Sequence, residues 1–166
     1  MRTILAIMLA SLPCVAQGQP SNNPVPRSPG AATKKELPER YHVMEAALRY
    51  MLKAHSSHGV ERDYYSAYVL PKDGEFTPEL VVAFAGYKPP VTADIEVSTG
   101  KGEARDKATG KRVKLWSGKV TEIHGDRATA YVSWYVAPLG AGGHTLHLRR
   151  KDGKWIVESE KMDWVS

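Results

Sequence analysis

The stretch that decides the fold is residues 127–166, RATAYVSWYVAPLGAGGHTLHLRRKDGKWIVESEKMDWVS. Apolar and polar residues alternate along it in three runs, which is the pattern of antiparallel strands with one buried face. The runs are separated by a glycine-rich segment, 140–143, and by Asp152-Gly153, a dipeptide typical of tight hairpin turns. We therefore expect a three-stranded meander with a turn at each of these two places.

The first strand of this meander has two chemically distinct faces. The apolar face consists of Ala128, Ala130, Val132, Trp134 and Val136. The polar face consists of Thr129, Tyr131, Ser133 and Tyr135. The apolar face continues through Leu148 and Trp155 in the next two strands, so we expect it to form the core. Beyond Glu158 the alternation weakens, which predicts a bulge before Met162 and Trp164.

Two helices are predicted before the meander. The first covers residues 39–55, where apolar residues recur at helical spacing. Its apolar stripe consists of Met44, Ala47, Leu48, Met51 and Leu52. The second helix is short, with Thr77 as its cap, Pro78 in its first turn and Gly86 at its end.

Further strands are predicted at 64–70, 91–98 and 113–124, with turns at 72–74 and 106–111 and a bulge at Ser117-Gly118. The element order is helix, strand, short helix and then four or more antiparallel strands. This order favours an α+β fold in which a curved antiparallel sheet wraps around a long N-terminal helix, with the short second helix beside it.

Residues 1–18 have the features of a secretory signal peptide. Arg2 precedes a largely apolar run, 4–12, and small residues follow it, so we expect cleavage after about Ala16 to Gly18. That run is far shorter than the roughly 20 residues that a helix needs to cross a bilayer. Residues 19–36 are rich in Pro, Ser and Asn, which is typical of a disordered spacer. The remaining residues, 37–166, are expected to form one domain.

The only cysteine, Cys14, lies within the predicted signal peptide. Lipidation requires small residues directly before the cysteine, and Pro13 stands there, so a lipoprotein is not expected. Without Cys14 the exported chain has no thiol and no disulfide. The formal net charge is +5, with basic residues scattered along the chain. We expect a periplasmic or secreted bacterial protein that does not bind nucleic acid.

Three segments resemble a family of exported bacterial proteins of uncharacterised function: TPELVVAFAGYKPPV (77–91), ATGKRVKLWSG (108–118) and residues 127–166. The element order is similar to that of the cystatin-like and nuclear transport factor 2-like cones. The resemblance therefore implies the same wrapped sheet, with a small-ligand pocket between sheet and helices. Cones of this type often pair through their sheets, which leaves a homodimer open. The resemblance brings no established active-site residue.

No nucleophile or phosphate-binding motif is complete. The Gly-Lys-Gly-Glu-Ala-Arg segment, 100–105, lacks the third glycine of a dinucleotide-binding loop. His144 and His147 are three residues apart on a strand and should face opposite sides, so they are not expected to share a metal ion. His55 and His58 lack a visible third ligand. We therefore expect no metal and no cofactor.

The candidate ligand site is the polar face of the meander. We expect Tyr131, Tyr135 and His147 to line a shared concavity with a strand tyrosine, Tyr65 or Tyr68, because tyrosine offers an apolar ring and a hydroxyl donor. The alternative is that these aromatic side chains only pack across neighbouring strands of an exposed face.

Catalysis in that concavity would need a carboxylate or histidine with a shifted pKa and a donor opposite it. His147 and Tyr131 are the pair that the sequence offers, with Asp94, Glu96 and Asp163 as alternatives. The patterns assign no catalytic residue. The preferred function is a non-enzymatic binding module of the bacterial envelope or extracellular space, whose partner is a small apolar or anionic ligand or a protein docked on the open sheet face. A small isomerase or hydratase of the cone type is the alternative.

Overall fold

The computed structural model describes residues 37–55, 65–70, 78–100 and 102–166. In these ranges the helices are α1 at Glu39–Ala54 and α2 at Pro78–Val82. The strands are β1 at Ala67–Val69, β2 at Val91–Thr92, β3 at Val97–Ser98, β4 at Arg105–Asp106, β5 at Val113–His124, β6 at Arg127–Ala137, β7 at Gly140–Lys151 and β8 at Lys154–Val165. The predicted signal peptide, spacer, 72–74 turn and Thr77 cap lie outside the described residues and stay predictions.

Six strands form one mixed sheet in the order β2-β1-β5-β6-β7-β8. The last four strands make an antiparallel meander. β1 runs parallel to both of its neighbours, with Tyr68 opposite Val91 of β2 and Lys114 of β5. β3 and β4 form a separate antiparallel pair. The large sheet is therefore mixed, whereas a purely antiparallel sheet was expected.

The main core lies between α1 and one face of the large sheet, which we call the inner face. The inner face contributes Tyr68, Trp116, Val120, Ala128, Ala130, Val132, Leu146, Leu148 and Trp155 to this core. The predicted apolar stripe of α1 is confirmed, because all five of its residues are at most 1 % exposed. Among the described residues, no helix has the length and apolarity needed to cross a membrane.

The opposite, outer face of the sheet is covered at one end by the segment that carries β3 and β4. A second buried cluster forms there from Ala67, Val69, Ala104 and Val113, with Ile95, Val97, Leu115 and Tyr135 packed against it. β1 is buried along its whole length because Tyr68 faces the main core while Ala67 and Val69 face this second cluster. A strand that is covered on both faces has a continuous apolar sequence, and Ala-Tyr-Val of β1 has this character.

The predicted fold class is wrong. Strands account for 50 % and helices for 19 % of the described residues. The 16 residues of α1 span about 24 Å at 1.5 Å per residue, whereas a 12-residue strand such as β5 spans about 40 Å. A helix of that length covers part of one face and is too short to be wrapped by the sheet. The observed architecture is a six-stranded mixed sheet with a short helix on one face and a small second sheet on the other.

Two local predictions are also wrong. The strand predicted at 91–98 is two short strands in different sheets, because Val91–Thr92 joins the large sheet and Val97–Ser98 joins the small one. The glycine-rich segment 140–143 lies within β7 and is not a turn. The turn between β6 and β7 consists of Pro138 and Leu139. The first error arises because a two-residue strand is too short to show a period, and the second because glycine has a low strand propensity.

The predicted features of the last hairpin are confirmed. The turn residues at 152 and 153 have φ values of 51° and 75°, as a two-residue hairpin turn requires. The register of β7 and β8 shifts at the His147–Leu148 step and again at Gly143–His144. These shifts confirm the irregularity predicted beyond Glu158. The bulge predicted at 117–118 lies instead at 120–122 of β5.

Candidate functional site

Two of the predicted site residues, Tyr131 and His147, lie together on the outer face. In the register of β6 and β7, Thr129 is opposite His147 and Tyr131 is opposite Thr145. Tyr131 and His147 are therefore diagonal neighbours, about 7–8 Å apart. The hydroxyl of Tyr131 accepts a hydrogen bond of 2.8 Å from Nε1 of Trp164. His147 is exposed, with Nδ1 3.4 Å from the hydroxyl of Thr129.

The three other predicted tyrosines lie elsewhere. Tyr135 packs against the second buried cluster, and its hydroxyl donates a hydrogen bond of 2.7 Å to the carbonyl of Gly102. Tyr68 is fully buried in the main core, edge-to-face with Trp116 at a ring separation of 6.2 Å. Tyr65 precedes β1 and packs against the same core. The five side chains thus do not line one concavity.

The alternative carboxylates are surface groups. Asp94 and Glu96 are exposed, and Glu96 pairs with Lys107 at 3.3 Å. Asp163 accepts a hydrogen bond of 2.6 Å from Thr145, which holds the pKa of its carboxyl below the ordinary value. A carboxyl with a lowered pKa stays ionised at neutral pH and is a poor general acid.

A groove of about 440 Å³ opens near the β5–β6 turn. Its lining residues are Glu122, His124, Arg127, Ala128, Thr129, His147, Leu148, Glu158 and Ser159. Three of its lining residues are in close polar contacts: Nε2 of His124 lies 2.7 Å from Glu122, and Glu158 lies 3.0 Å from Lys151. Tyr131 is not among the lining residues. The groove therefore contains His147 without the hydroxyl donor that was predicted to oppose it.

A second polar site lies on the inner face, where the end of α1 meets β7 and β8. It consists of Tyr50, His55, His144 and Glu160, which we call the His–Glu cluster. One ligand atom from each of the two histidines and the glutamate lies within 4.8 Å of the others. No sequence prediction placed these residues together.

The backbone elements explain how the cluster forms. His55 directly follows α1, and its backbone N–H donates a hydrogen bond of 2.9 Å to the carbonyl of Met51, which fixes the helix end. His144 has the same inward phase on β7 as Leu146, two residues later. Glu160 of β8 is opposite Leu146. His144 and Glu160 are therefore on the inner face of adjacent strands, where the end of α1 reaches them.

A single carboxylate oxygen is the centre of the cluster. Oε1 of Glu160 lies 2.8 Å from Nε2 of His55 and 2.7 Å from Nδ1 of His144. The hydroxyl of Tyr50 donates a hydrogen bond of 3.0 Å to the other oxygen, Oε2. The imidazole rings are 4.6 Å apart between centroids. The side chain of His144 is 1 % exposed, whereas those of His55 and Glu160 are 26 % and 20 % exposed, so solvent reaches the cluster from their side.

The environment shifts the pKa values of three members of the cluster. Burial, with a smaller contribution from His55, lowers the pKa of His144 below 6.5 against the attraction of Glu160. Burial of Glu160 would raise its pKa, but the hydrogen bonds from His55 and Tyr50 and the nearby imidazoles hold it below 4.5. The hydrogen bond to Glu160 raises the pKa of Tyr50 above 10.0. At neutral pH the cluster therefore combines a carboxylate, a neutral His144 and a protonated tyrosine.

Sequence spacing could not predict this cluster, because His55 and Glu160 are 105 positions apart. The opposite orientation of His144 and His147 is confirmed, since one is buried and the other exposed. The sequence pairs His55 with His58, which lies outside the described residues, whereas in the structure His55 meets His144 and Glu160. A usable signal existed: His144 is a polar residue at an inward-facing position of a strand, and a buried polar side chain needs a partner.

The two polar sites offer different chemistry. The outer face presents exposed side chains over a wide area, with aromatic rings among short polar groups. The His–Glu cluster presents two imidazole nitrogens and a carboxylate oxygen at one point. No family model, curated protein or solved structure matches this chain, so the chemistry of these two sites carries the functional argument.

Proposed function

We propose that the protein is an exported, non-enzymatic binding module of the bacterial envelope or extracellular space, and that it docks a partner protein on the outer face of its sheet. The Tyr131–Trp164 pair carries this proposal: its rings lie on that face, joined by a hydrogen bond, and Trp164 remains 44 % exposed. Tyr and Trp are enriched in protein interfaces because each combines a large apolar surface with a polar group.

The surroundings of this pair support the same function. The strands on either side of β6 add exposed polar side chains to the outer face: Ser117 and Lys119 on β5, and His147 on β7. An aromatic centre with a rim of polar side chains is the usual composition of a non-obligate interface. Residues 1–18 support export, because Arg2 followed by an apolar run is the pattern of a signal peptide.

The isomerase or hydratase alternative has less support. It requires Tyr131 and His147 to converge on one cavity, and Tyr131 is not among the residues that line the groove at His147. The groove is also open and lined by exposed charged groups, whereas general acid–base catalysis depends on a titratable group held in a water-poor site. No described arrangement on the outer face meets that requirement.

Site-specific photo-crosslinking in cells that produce the protein tests the docking surface. A benzoylphenylalanine is introduced at Ser117 or His147 on the outer face, and at Val82 of α2 as a control. Val82 is 72 % exposed and belongs to α2, whose Leu80 packs in the main core on the inner side of the sheet. We expect irradiation to yield a discrete larger adduct from the two outer-face positions and none from Val82.

Two results would contradict docking on the outer face: equal adducts from all three positions, or none from any. Native mass spectrometry of the protein isolated from the same cells reports on the other candidate, a small apolar or anionic ligand. A bound small molecule without any crosslinked protein would replace the protein partner with that ligand.

A further inference from the structure

We propose that His55, His144 and Glu160 form a binding site for a divalent transition-metal ion, with Zn²⁺ as the reference ion. The ligand atoms are Nε2 of His55, Nδ1 of His144 and a carboxylate oxygen of Glu160. The site lies on the inner face, away from the proposed docking surface, and is independent of it. The proposal rests on four observations: the donor set, an unpartnered buried nitrogen, the support of Tyr50 and the access to solvent.

The donor set suits a transition metal. Imidazole nitrogen is a preferred ligand of Zn²⁺, Ni²⁺, Cu²⁺ and Fe²⁺, while Ca²⁺ and Mg²⁺ prefer all-oxygen sites. Two histidines and one carboxylate with an open position are a recurrent ligand set for zinc and for non-haem iron. The required ligand atoms of the two histidines and the glutamate are all within 4.8 Å of one another.

The buried nitrogen of His144 points to a missing ligand. Nδ1 of His144 is inaccessible to solvent and has no hydrogen-bond partner. Oε1 of Glu160 lies 2.7 Å from it, but the contact lacks the alignment of a hydrogen bond. An unsatisfied buried polar atom destabilises the folded state. Nδ1 would be satisfied if it donated its lone pair to a metal ion. Neutral imidazole is the form that binds metal.

Two of the three spacings between ligand atoms need only a small adjustment for an ion to enter. Zinc bonds of about 2.0–2.2 Å in a tetrahedral arrangement place ligand atoms roughly 3.3–3.5 Å apart. The two nitrogens now lie 2.8 Å and 2.7 Å from the oxygen of Glu160. Each of these two distances would have to grow by roughly 0.6 Å. The two nitrogens, which lie within 4.8 Å of each other, would have to reach the same separation. His55 and Glu160 can make this movement because both side chains are partly exposed.

Tyr50 holds the glutamate in a metal-binding orientation. Its hydroxyl donates to Oε2 at 3.0 Å, which leaves Oε1 directed at the two histidines. Hydrogen bonds of this kind to a ligating carboxylate fix its orientation and commonly change metal affinity by about 10–100-fold. His55 and Glu160 are partly exposed, so a fourth ligand would come from their solvent side.

Titration of the purified, untagged protein with Zn²⁺, followed by calorimetry, tests the site. We expect one equivalent to bind the wild type. His55→Ala and Glu160→Gln should abolish this stoichiometric binding, and Tyr50→Phe should weaken it by about 10-fold or more. His124→Ala is the matched control, since His124 also pairs with a glutamate, Glu122, at 2.7 Å but is far more exposed. It should bind Zn²⁺ as the wild type does.

A second measurement uses the wild type alone, so it does not depend on a variant that fails to fold. Long-range ¹H–¹⁵N spectra of the imidazoles should show Zn²⁺ shifting Nδ1 of His144 and Nε2 of His55 together, at one equivalent. The proposal is overturned if the wild type does not bind Zn²⁺, if His55→Ala and Glu160→Gln bind as the wild type does, or if the shifts appear only at exposed histidines such as His124 and His147.

Discussion

At the scale of single residues, Gly142 and Gly143 of β7 allow aromatic rings to pack directly on the strand backbone. A Cβ added at Gly143 would overlap the hydroxyl of Tyr131 and Nε1 of Trp164. A Cβ at Gly142 would come within 3.1 Å of ring carbons of Trp134. The segment therefore resembles a turn in the sequence, but in the sheet it is a platform on which aromatic side chains lie. Glycine within a strand often marks a place where another group approaches the backbone closely.

Gly143→Ala should move Trp164 away from Tyr131 and break their hydrogen bond. The indole is partly exposed and can swing into solvent, so we expect a loss at the low end of the usual overpacking range, about 1 kcal/mol in the free energy of unfolding. Urea denaturation measures that loss, and the indole N–H signal of Trp164 reports the broken bond. Gly100→Ala is the control, because its Cβ would meet only Ser98 Oγ at 3.5 Å. Equal stability of the two variants would contradict the platform role.

Glu103 is a half-buried surface carboxylate that is constrained by two neighbouring arginines. Its carboxylate accepts hydrogen bonds from Arg112 at 2.8 Å and from Arg105, and both lower its pKa below 4.5. Because the pKa is lower in the folded state, Glu103 favours folding at pH values above its unfolded pKa. That contribution is lost as the pH falls through the folded pKa.

Carbon-13 NMR titration should therefore give Glu103 a pKa below 4.5, the ordinary value for glutamate. Arg112→Ala should raise it toward that value. Lys107→Ala is the control, since Lys107 pairs with Glu96 on the same segment. A pKa that Arg112→Ala leaves unchanged would show that the guanidinium is not the cause.

At the scale of elements, the period of the apolar residues decided which face of each strand or helix is buried. Ala128, Ala130 and Val132 are at most 5 % exposed, as the alternation in β6 predicts. The stripe of α1 is buried as predicted for the same reason, because the period is a local property of the chain. β2 and β3 could not be separated in this way, since a two-residue strand is too short to show a period.

Leu48→Ala in α1 should destabilise the protein by about 2–5 kcal/mol, because Leu48 is 0 % exposed in the main core and truncation leaves a cavity. Lys53→Ala on the exposed side of the same helix should change stability by about 0.5 kcal/mol or less. Chemical denaturation of both variants measures the difference. Equal midpoints would mean that α1 does not pack on the sheet as described.

At the scale of the whole molecule, the meander should be the most stable part, because β6 and β7 have partner strands on both sides. Native-state hydrogen exchange should therefore find the slowest amides in β5, β6 and β7. The amides of β3 and β4 should exchange much faster, since the small sheet has only two residues in each strand. Comparable protection of the two sheets would contradict this ranking.

The sequence by itself determined the meander, the stripe of α1 and the last hairpin turn, because periodicity and turn chemistry act between residues that are close along the chain. Only the tertiary structure decided that β1 lies parallel between β2 and β5, and that a small second sheet covers part of the outer face. It also decided that His55, His144 and Glu160 meet, although the first and the last are 105 positions apart. These features depend on contacts between segments that are distant along the chain. Burial of side chains in such contacts outweighs local secondary-structure propensity, and it leaves no regular spacing in the sequence.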